Sequence, residues 1–457
     1  MSNSSITEEK LVPLLQELIR NKCVNTGHPD SGQEIKSAKT LRRFFNDHGI
    51  KSEILEAHPG RANLLARIPG TDPGAPTLCF MNHMDVVPAN ESQWSVDPFG
   101  GDLRGGFVWG RGAVDMLNTT ASQAVAFAML AQEKKNFPGD LLFLAVADEE
   151  ASGRLGARWL TEHHWDKIKS DYMITELGGF FLNNTNEQNI TITTGEKGIA
   201  WTRIQVKGEA GHGSLPYNTH NTAYVIGEAL QRLSSYKPKL ELTREYCDMV
   251  AALHLPKKEQ QKLTKKATLM KSIKHLAQTD EGTARFLHAA SQMTISPNVV
   301  EVGKKINIIP DHGSIELDIR ILPGQTVETV LAELTRALGN IAKQFEIEIL
   351  EYFPSNTSPL DTPLYQATCE LIGAVYPLAC PVPFFIGSVT DGRFFRKKGT
   401  IVYGFSLFHD ELTLSEYARR LHGKNERISV KSLELSCNYF YKLPEIFFNK
   451  THLSDNM

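Results

Sequence analysis

Short apolar runs that alternate with helical stretches constrain the fold of this chain most strongly. Residues 77–81, 141–147 and 172–175 have the length and the apolar content of buried strands. The stretches that separate them have helical periodicity, which predicts an α/β domain with a mostly parallel central sheet flanked by helices. The same character returns after Pro354, with a strand predicted at 400–404.

A second pattern begins near Gly195. Its predicted elements are, in order, a strand at 199–207, a helix at 222–233, strands at 298–302 and 313–321, a helix at 327–338 and a strand at 346–352. This β-α-β-β-α-β order is typical of a ferredoxin-like α+β domain. Residues 236–292 interrupt it with a polar, lysine-rich helical insertion. We therefore predict a discontinuous α/β domain of residues 1–196 and 353–457 and an inserted domain of residues 197–352.

Composition argues against several classes of protein. The 457-residue chain has a formal net charge of −3, so no overall positive field favours nucleic acid. The seven lysines between Lys257 and Lys274 are interpreted as a solvated helical face. No window has the roughly 18 uninterrupted apolar residues of a membrane span, and the N-terminus has no secretory pattern. The six cysteines form no CxxC pair, which indicates reduced thiols and a cytoplasmic location.

Acidic and histidine residues lie at or beyond the ends of the predicted strands. The residues concerned are His83, Asp85, Asp115, Glu149, Glu150, Glu176 and His422. Asp115 lies in a glycine-rich loop that enters a helix, and His422 lies in a loop beyond the last predicted strand. Because ligand sites of open parallel sheets gather at the carboxyl ends of strands, we expect these side chains to share one pocket.

Uncompensated carboxylates in one pocket repel one another and their pKa values rise, and a bound metal ion would remove this repulsion. Histidine nitrogen and carboxylate oxygen, without cysteine, suit zinc, manganese or cobalt. Two divalent cations carry four positive charges, one more than the three negative charges of Asp115, Glu150 and Glu176. A hydrolytic centre with two metal ions is therefore electrostatically reasonable.

The order of the motifs resembles that of a known family. The matching motifs are His83-Met84-Asp85-Val86-Val87-Pro88, Trp109-Gly110-Arg111-Gly112-Ala113-Val114-Asp115-Met116, Asp148-Glu149-Glu150, Glu176-Leu177-Gly178-Gly179, Gly211-His212-Gly213-Ser214-Leu215-Pro216 and His422-Gly423-Lys424-Asn425-Glu426-Arg427-Ile428-Ser429. They resemble the zinc-dependent family of aminoacylase, acetylornithine deacetylase, succinyl-diaminopimelate desuccinylase and carboxypeptidase, most of all its carboxypeptidase S-like branch. The resemblance implies a hydrolase that cleaves the amide bond of a small N-acyl amino acid or short peptide.

The resemblance also implies two Zn²⁺ per subunit, although Co²⁺ or Mn²⁺ would suit the same ligands. Asp115 would bridge both ions. His83 and Glu176 would complete one site, and Glu150 and His422 the other.

Two further residues receive roles from the resemblance. Glu149 would be the general base, which takes a proton from the attacking water and delivers it to the leaving amine. Asp85 would hydrogen-bond His83 and fix its tautomer.

The inserted domain would be a lid that supports homodimerisation and closes over the substrate. His212, often supplied by the partner subunit, would stabilise the oxyanion. Asn307 and Arg320 resemble lid residues that hold polar groups of the substrate; Arg320 would pair either with a substrate carboxylate or with Asp318. Arg393 matches a family stretch without a clear role.

Two departures from the family pattern leave the substrate open. Leu117 stands where much of the family has lysine, and Asn82 stands where glycine is frequent. An exo- or dipeptidase would use the same catalytic residues as an N-acyl amino acid deacylase. A non-catalytic binding protein is less consistent with the sequence, because all five candidate ligands and the candidate base are present.

Overall fold

The computed structural model describes residues 7–182 and 188–454. Its strands are β1 (Ser52–His58), β2 (Arg61–Ile68), β3 (Leu78–His83), β4 (Asp102–Arg104), β5 (Phe107–Trp109), β6 (Leu141–Val146), β7 (Tyr172–Thr175), β8 (Phe181–Leu182), β9 (Gln188–Glu196), β10 (Gly198–Lys207), β11 (Gly211–His212), β12 (Thr294–Val302), β13 (Ile308–Ile309), β14 (His312–Ile321), β15 (Phe345–Phe353), β16 (Asn356–Thr357), β17 (Ala379–Ile386), β18 (Ile401–Gly404) and β19 (Arg427–Ser429). Its helices are α1 (Val12–Arg20), α2 (Ile35–Asp47), α3 (Leu117–Gln132), α4 (Ala157–His163), α5 (Trp165–Ile168), α6 (Thr222–Ser235), α7 (Arg244–Ala252), α8 (Lys257–Leu263), α9 (Lys266–Leu276), α10 (Glu281–Ala290), α11 (Val327–Leu338), α12 (Pro363–Val375), α13 (Gly392–Arg396), α14 (Leu414–Arg420) and α15 (Val430–Ser454).

The larger sheet has the order β1-β2-β6-β3-β7-β18-β9-β16, and β8 and β17 also pair with β9. Its centre, β6-β3-β7-β18, is parallel, whereas β1 and β2 extend one side in antiparallel pairing. Every residue of β3 and β6 is buried, which explains why β6, and β3 as far as Met81, are continuous apolar runs rather than alternating ones. The predicted α/β architecture with a mostly parallel central sheet is confirmed.

The smaller sheet has the order β12-β14-β10-β15, with every pairing antiparallel. Helices α6 and α11 pack on it, so the elements follow the predicted β-α-β-β-α-β order. Buried positions alternate along β10 and β14, because one face of the sheet covers a core and the other does not. The ferredoxin-like second unit predicted from the sequence is confirmed.

Helices cover the larger sheet. Helix α3 is buried along most of its length and packs against both α15 and β3. The apolar stripe of α1 (Leu14, Leu15, Leu18 and Ile19) joins the same core. Among the described residues, no helix is both long enough and apolar enough to cross a membrane.

Helices α7, α8, α9 and α10 form the insertion between the second and third elements of the smaller unit. Their buried side chains, which include Tyr246, Val250 and Leu287, belong to the core of the larger sheet. Helix α7 packs directly on β17 of that sheet. The sequence places the insertion within residues 197–352, whereas its packing attaches it to the α/β layer.

Candidate metal centre

Three neighbouring parallel strands position the first group of site residues. His83 is the last residue of β3, Glu149 and Glu150 lie in the turn beyond β6, and Glu176 follows β7 directly. Strand β3 pairs in parallel with both β6 and β7, so the carboxyl ends of these strands lie at one edge of the sheet. The structure therefore brings these side chains together, as expected of strand-end residues.

Loops supply the remaining two candidate ligands. Asp115 precedes the first residues of α3, and His422 follows the end of α14. The guanidinium of Arg111 donates a hydrogen bond to the carbonyl oxygen of His422 at 3.2 Å, which connects the two loops. His422 is the exposed member of the site, with 51% of its side chain accessible.

The five candidate ligands form two groups that share Asp115. The ligand atoms of His83, Asp115 and Glu176 lie within 4.8 Å of one another, and so do those of Asp115, Glu150 and His422. The two oxygens of the shared carboxylate face different histidines. Oδ1 lies 3.3 Å from Nε2 of His83, and Oδ2 lies 3.2 Å from Nε2 of His422. Each group offers nitrogen and oxygen donors, and the arrangement could hold two cations bridged by one carboxylate.

The electrostatics of the two groups favour bound cations. Burial and the neighbouring Asp115 charge raise the pKa of Glu150 to about 7, and burial also raises the pKa of Glu176 to about 7. Hydrogen bonds to Asp115 and Glu150 raise the pKa of His422 to about 10. A cation would replace the protons that otherwise compensate these charges, because metal binding and protonation compete for the same atoms.

One orphaned atom supports the same interpretation. Oε1 of Glu150 is buried and has no hydrogen-bond partner in the described part of the chain. A buried carboxylate oxygen without a partner is costly, and a metal ion would satisfy it. No cysteine belongs to either group, so the donor set matches the nitrogen and oxygen ligands of zinc, cobalt or manganese.

Asp85 is fully buried and organises the loop that carries the acidic pair. Its carboxylate accepts hydrogen bonds from the backbone N–H groups of Glu149 and Glu150 at 3.2 and 3.1 Å, and from the side-chain amide of Asn25 at 2.8 Å. The Nδ1 atom of His83 lies 3.5 Å from this carboxylate and 3.0 Å from the carbonyl oxygen of Asp85. Asp85 therefore orients His83 mainly through the backbone carbonyl of Asp85. The carboxylate of Asp85 holds the backbone of Glu149 and Glu150, a role that the sequence did not indicate.

Glu149 lies beside the metal groups and belongs to neither of them. It is partly buried and lines the cavity over the centre. Burial and the neighbouring Glu176 carboxylate raise the pKa of Glu149 well above its usual range. A carboxyl group with a raised pKa, not committed to a cation, is suited to take up and release a proton.

Glu426 is a supporting residue that sequence reasoning missed, although it lies in a quoted motif. It is fully buried, and its Oε1 accepts hydrogen bonds from the backbone N–H groups of Val114 and Asp115 at 2.7 and 3.2 Å. Its Oε2 pairs with Nη1 of Arg111 at 2.7 Å. The place of Glu426 in a quoted motif indicated a role, but its partner Arg111 lies 315 residues away in sequence, so the contact itself left no signal.

Several ligand loops adopt a backbone conformation that non-glycine residues seldom use. The φ angles of Asp148, Leu177 and His422 are 68°, 64° and 54°. Each of these residues is itself a candidate ligand or lies close to one in sequence. Such conformations cost free energy and persist where the surrounding contacts determine them, which is frequent at functional sites.

A cavity of about 230 Å³ opens over the centre and is lined by both units of the chain. The smaller unit contributes Ile199, Trp201 and Arg320. Nε and Nη2 of Arg320 donate to the carboxylate of Asp318 at 2.6 and 3.1 Å. Nη1 is buried without a partner among the described residues, so one donor of this arginine is left for a ligand.

Arg393 lines the same cavity and is buried. Its guanidinium donates to the carbonyl oxygens of Thr390 at 2.7 Å and Ser152 at 3.1 Å. It therefore ties the loop beyond Glu150 to the start of α13, a structural contribution that the sequence left without a role.

His212 and Asn307 lie together, but away from this cavity. Strand β11, which contains His212, pairs with β13, and the N–H of Gly213 donates to the carbonyl oxygen of Asn307 at 2.9 Å. His212 is exposed and bonds the hydroxyl of Ser214 at 2.7 Å. Neither residue lines the cavity of its own chain.

The two departures from the family pattern are both buried. Leu117 is 1% exposed and contributes to the core of the larger sheet. Nδ2 of Asn82 donates to Oε1 of Gln123 on α3 at 2.8 Å. Neither residue is among those that line the cavity over the centre.

Comparison with known proteins identifies relatives of this chain. The model of peptidase family M20/M25/M40 matches residues 79–445. Human N-fatty-acyl-amino acid synthase/hydrolase PM20D1 is 27% identical over 415 residues, which cover 86% of this chain and 78% of that protein. A probable succinyl-diaminopimelate desuccinylase of Staphylococcus aureus is 25% identical over 361 residues, 78% of this chain and 79% of that protein.

The fold is also shared with a solved structure. An M20 family metallo-carboxypeptidase from Sulfolobus solfataricus superposes with a TM-score of 0.73 at 17% identity, and the match covers 96% of this chain and 99% of that one. At this identity the likeness concerns the fold, which includes both units of the chain.

Proposed function

The chain belongs to peptidase family M20/M25/M40 and is a metal-dependent hydrolase of C–N bonds, and from this premise we propose that it cleaves the amide bond of a small N-acyl amino acid or short peptide. The observation that carries the proposal is the pair of ligand groups that share Asp115. The proposed cofactors are two zinc ions, one held by His83, Asp115 and Glu176, the other by Asp115, Glu150 and His422. Cobalt or manganese would suit the same donors.

Two divalent cations at this position would polarise the scissile carbonyl and make a water more acidic. The chain supplies the proton transfer. Glu149 takes a proton from the attacking water and delivers it to the leaving amine, a role supported by its position in the cavity and its freedom from both ligand groups. Asp85 holds the loop that carries Glu149 and keeps His83 oriented.

Arg320 is proposed to bind a carboxylate of the substrate through Nη1. This proposal is supported by its place in the cavity and by the lack of a partner for that nitrogen among the described residues. Asp318 holds the other two nitrogens and so fixes the direction of the guanidinium. N-acyl amino acids and peptides with a free C-terminus both carry the required carboxylate.

The smaller unit is proposed as a lid, residues 197–352, that also forms a homodimer. Strand β12 is at the edge of its sheet, and Val299, Val300 and Val302 are 43%, 44% and 36% exposed. An exposed apolar edge strand is a surface that a second chain can cover. Because His212 is exposed and absent from the cavity of its own chain, we propose that it enters the partner's site and stabilises the oxyanion there. Asn307, its neighbour, would act on the substrate from the same side.

The names of two curated relatives bear on the class of substrate. One is named for N-fatty-acyl amino acids and the other for succinyl-diaminopimelate, and both names describe amide bonds next to a carboxylate-bearing residue. These names favour an N-acyl amino acid deacylase. An exo- or dipeptidase of the same mechanism is the second candidate, supported by the fold shared with a metallo-carboxypeptidase.

The experiment is amine release from a panel of N-acyl amino acids and dipeptides, with metal-depleted protein before and after zinc is restored. Turnover that returns with zinc supports the proposal, and the preferred substrates separate deacylase from peptidase. Equal turnover before and after zinc would contradict it.

A further inference from the structure

One face of the smaller sheet looks into the cavity over the metal centre. Trp201 on β10 and Arg320 on β14 both line this cavity. The residues next to them in sequence, Ala200 and Ile319, are fully buried in the core of the smaller unit. Because successive side chains of a strand point to opposite faces, Trp201 and Arg320 share the face turned away from that core. The proposed reaction gives no task to Trp201.

Asp318 fixes Trp201 and Arg320 together. Its Oδ1 atom accepts hydrogen bonds from Nε1 of Trp201 at 3.1 Å and from Nε of Arg320 at 2.6 Å. The indole and the guanidinium are therefore neighbours, held by one oxygen atom. An indole has a single N–H donor, and here Asp318 accepts it. Trp201, which is half-buried, consequently presents carbon surface to the cavity.

The charges around Trp201 argue against a cationic ligand at this wall. The described residues of the smaller unit that line the cavity are Ile199, Trp201 and Arg320, and none of them is acidic. Glu351, the cross-strand neighbour of Trp201 on β15, pairs with Arg154 at 3.0 Å. A cationic group would meet the charge of Arg320, whereas an apolar group would remove indole carbon from water.

We propose that Trp201 selects the amino acid half of the substrate by packing against a large apolar or aromatic side chain. This inference rests on the proposed function, in which Arg320 binds the carboxylate of that amino acid. The carboxylate and the side chain of an amino acid are attached to the same carbon atom. A substrate held by Arg320 therefore places its side chain beside the neighbouring indole, where two aromatic rings can also stack.

The test is calorimetric titration of the zinc-loaded protein with phenylalanine, leucine, alanine and lysine. These amino acids are products of the proposed reaction, so side-chain selection is measured without turnover. The variant Trp201→Ala removes the indole, and Trp201→Phe keeps an aromatic surface. The control Trp165→Ala removes another half-buried tryptophan, which does not line the cavity over the metal centre.

Wild-type protein is expected to bind phenylalanine and leucine about 10–100-fold more tightly than alanine, the usual range for added apolar groups in a fitting pocket. Trp201→Ala should lose most of this difference and still bind alanine, which shows that the variant is folded. Trp201→Phe and Trp165→Ala should keep the difference. Equal binding of all four amino acids by the wild type, tightest binding of lysine, or equal weakening of all four in Trp201→Ala would overturn the proposal.

Turnover separates the two halves of the substrate. The ratio of kcat/KM for N-acetylalanine to that for N-octanoylalanine should be the same in wild type and in Trp201→Ala. A changed ratio would assign Trp201 to the acyl half and overturn the proposal. No turnover of any N-acyl amino acid or dipeptide would refute the proposed function together with this inference, whereas turnover without selection by Trp201 would refute this inference alone.

Discussion

The side chain of Glu426 holds Asp115 by its backbone N–H and leaves the side chain of Asp115 free to face the two ligand groups. The buried carboxylate of Glu426 accepts a hydrogen bond from the N–H of Asp115 at 3.2 Å, across 311 residues of sequence. The same oxygen binds the N–H of Val114, and the other oxygen pairs with Arg111. These bonds fix the loop that presents the shared carboxylate, so the geometry of both ligand groups depends on Glu426.

Glu426→Gln is therefore expected to lower zinc affinity by about 10–100-fold, the usual effect of losing a residue that orients a ligand. An amide cannot accept at both ends, so either the backbone bonds or the contact with Arg111 is lost. Zinc titration against a competing chelator measures the effect. The exposed Glu445→Gln is the matched control. Unchanged affinity in folded Glu426→Gln protein would show that the loop holds its shape by other means.

Glu149→Gln is expected to lower kcat by about 10²–10⁴-fold while zinc binding is retained. The reason is that Glu149 lies outside both ligand groups but lines the cavity. Steady-state amine release and zinc content, measured on the same preparation, separate the two effects. Glu162→Gln, an exposed position, is the control. Full activity would rule out the proton-transfer role.

His212 is expected to act in the partner's site. His212→Ala and Glu149→Gln proteins should each be nearly inactive, since loss of an oxyanion donor costs about 10²–10³ in rate. When the two are mixed and allowed to exchange subunits, heterodimers should contain one intact site. Random assortment then restores about one quarter of wild-type activity. If subunit exchange is demonstrated and activity does not return, His212 does not act in the partner's site.

Lys197 gives the stability of the protein a specific pH dependence. It lies between β9 and β10, is fully buried, and donates to the carbonyl oxygens of Ala289 and Gln292 at 3.0 and 2.8 Å. Burial lowers its pKa from 10.5 to about 7. Between these values the unfolded chain binds the proton and the folded chain does not, so the free energy of unfolding should rise with pH from about 7 towards 10.

Urea unfolding of wild type and Lys197→Met across this range isolates the contribution of Lys197. The difference between the two curves should change with pH above about 7 and stay flat below it. Lys207→Met, at an exposed position, should parallel the wild type. Parallel curves for Lys197→Met as well would mean that the buried ammonium keeps an ordinary pKa.

The centre of the fold was predictable because its strands are buried on both faces. Strands β3, β6 and β7 are mostly apolar, and the residues at or just beyond their carboxyl ends are those that the structure brings together. Strands β9 and β17 were not predicted. Strand β9 contains three threonines and only two large apolar residues, and β17 contains two prolines, so neither is the continuous apolar run typical of a buried strand.

Supporting contacts were less predictable than ligands. Glu426 and Asn25 act through hydrogen bonds to residues far away in sequence, and spacing carries no record of such pairs. The packing of the helical insertion against the larger sheet was hidden for the same reason. Apolar residues at helical spacing, such as Tyr246, Met249 and Val250 of α7, predict that a face is buried but do not identify its partner.

The most direct test of the central claim is zinc stoichiometry measured together with activity. Metal-depleted protein is titrated with zinc, and bound metal and amine release are followed in parallel for wild type and Asp115→Asn. The two ligand groups predict two zinc ions per wild-type chain, full activity only when both are bound, and weakened binding of both in Asp115→Asn. Full activity with a single zinc per chain, or normal binding of both ions in Asp115→Asn, would contradict a centre built on one shared carboxylate.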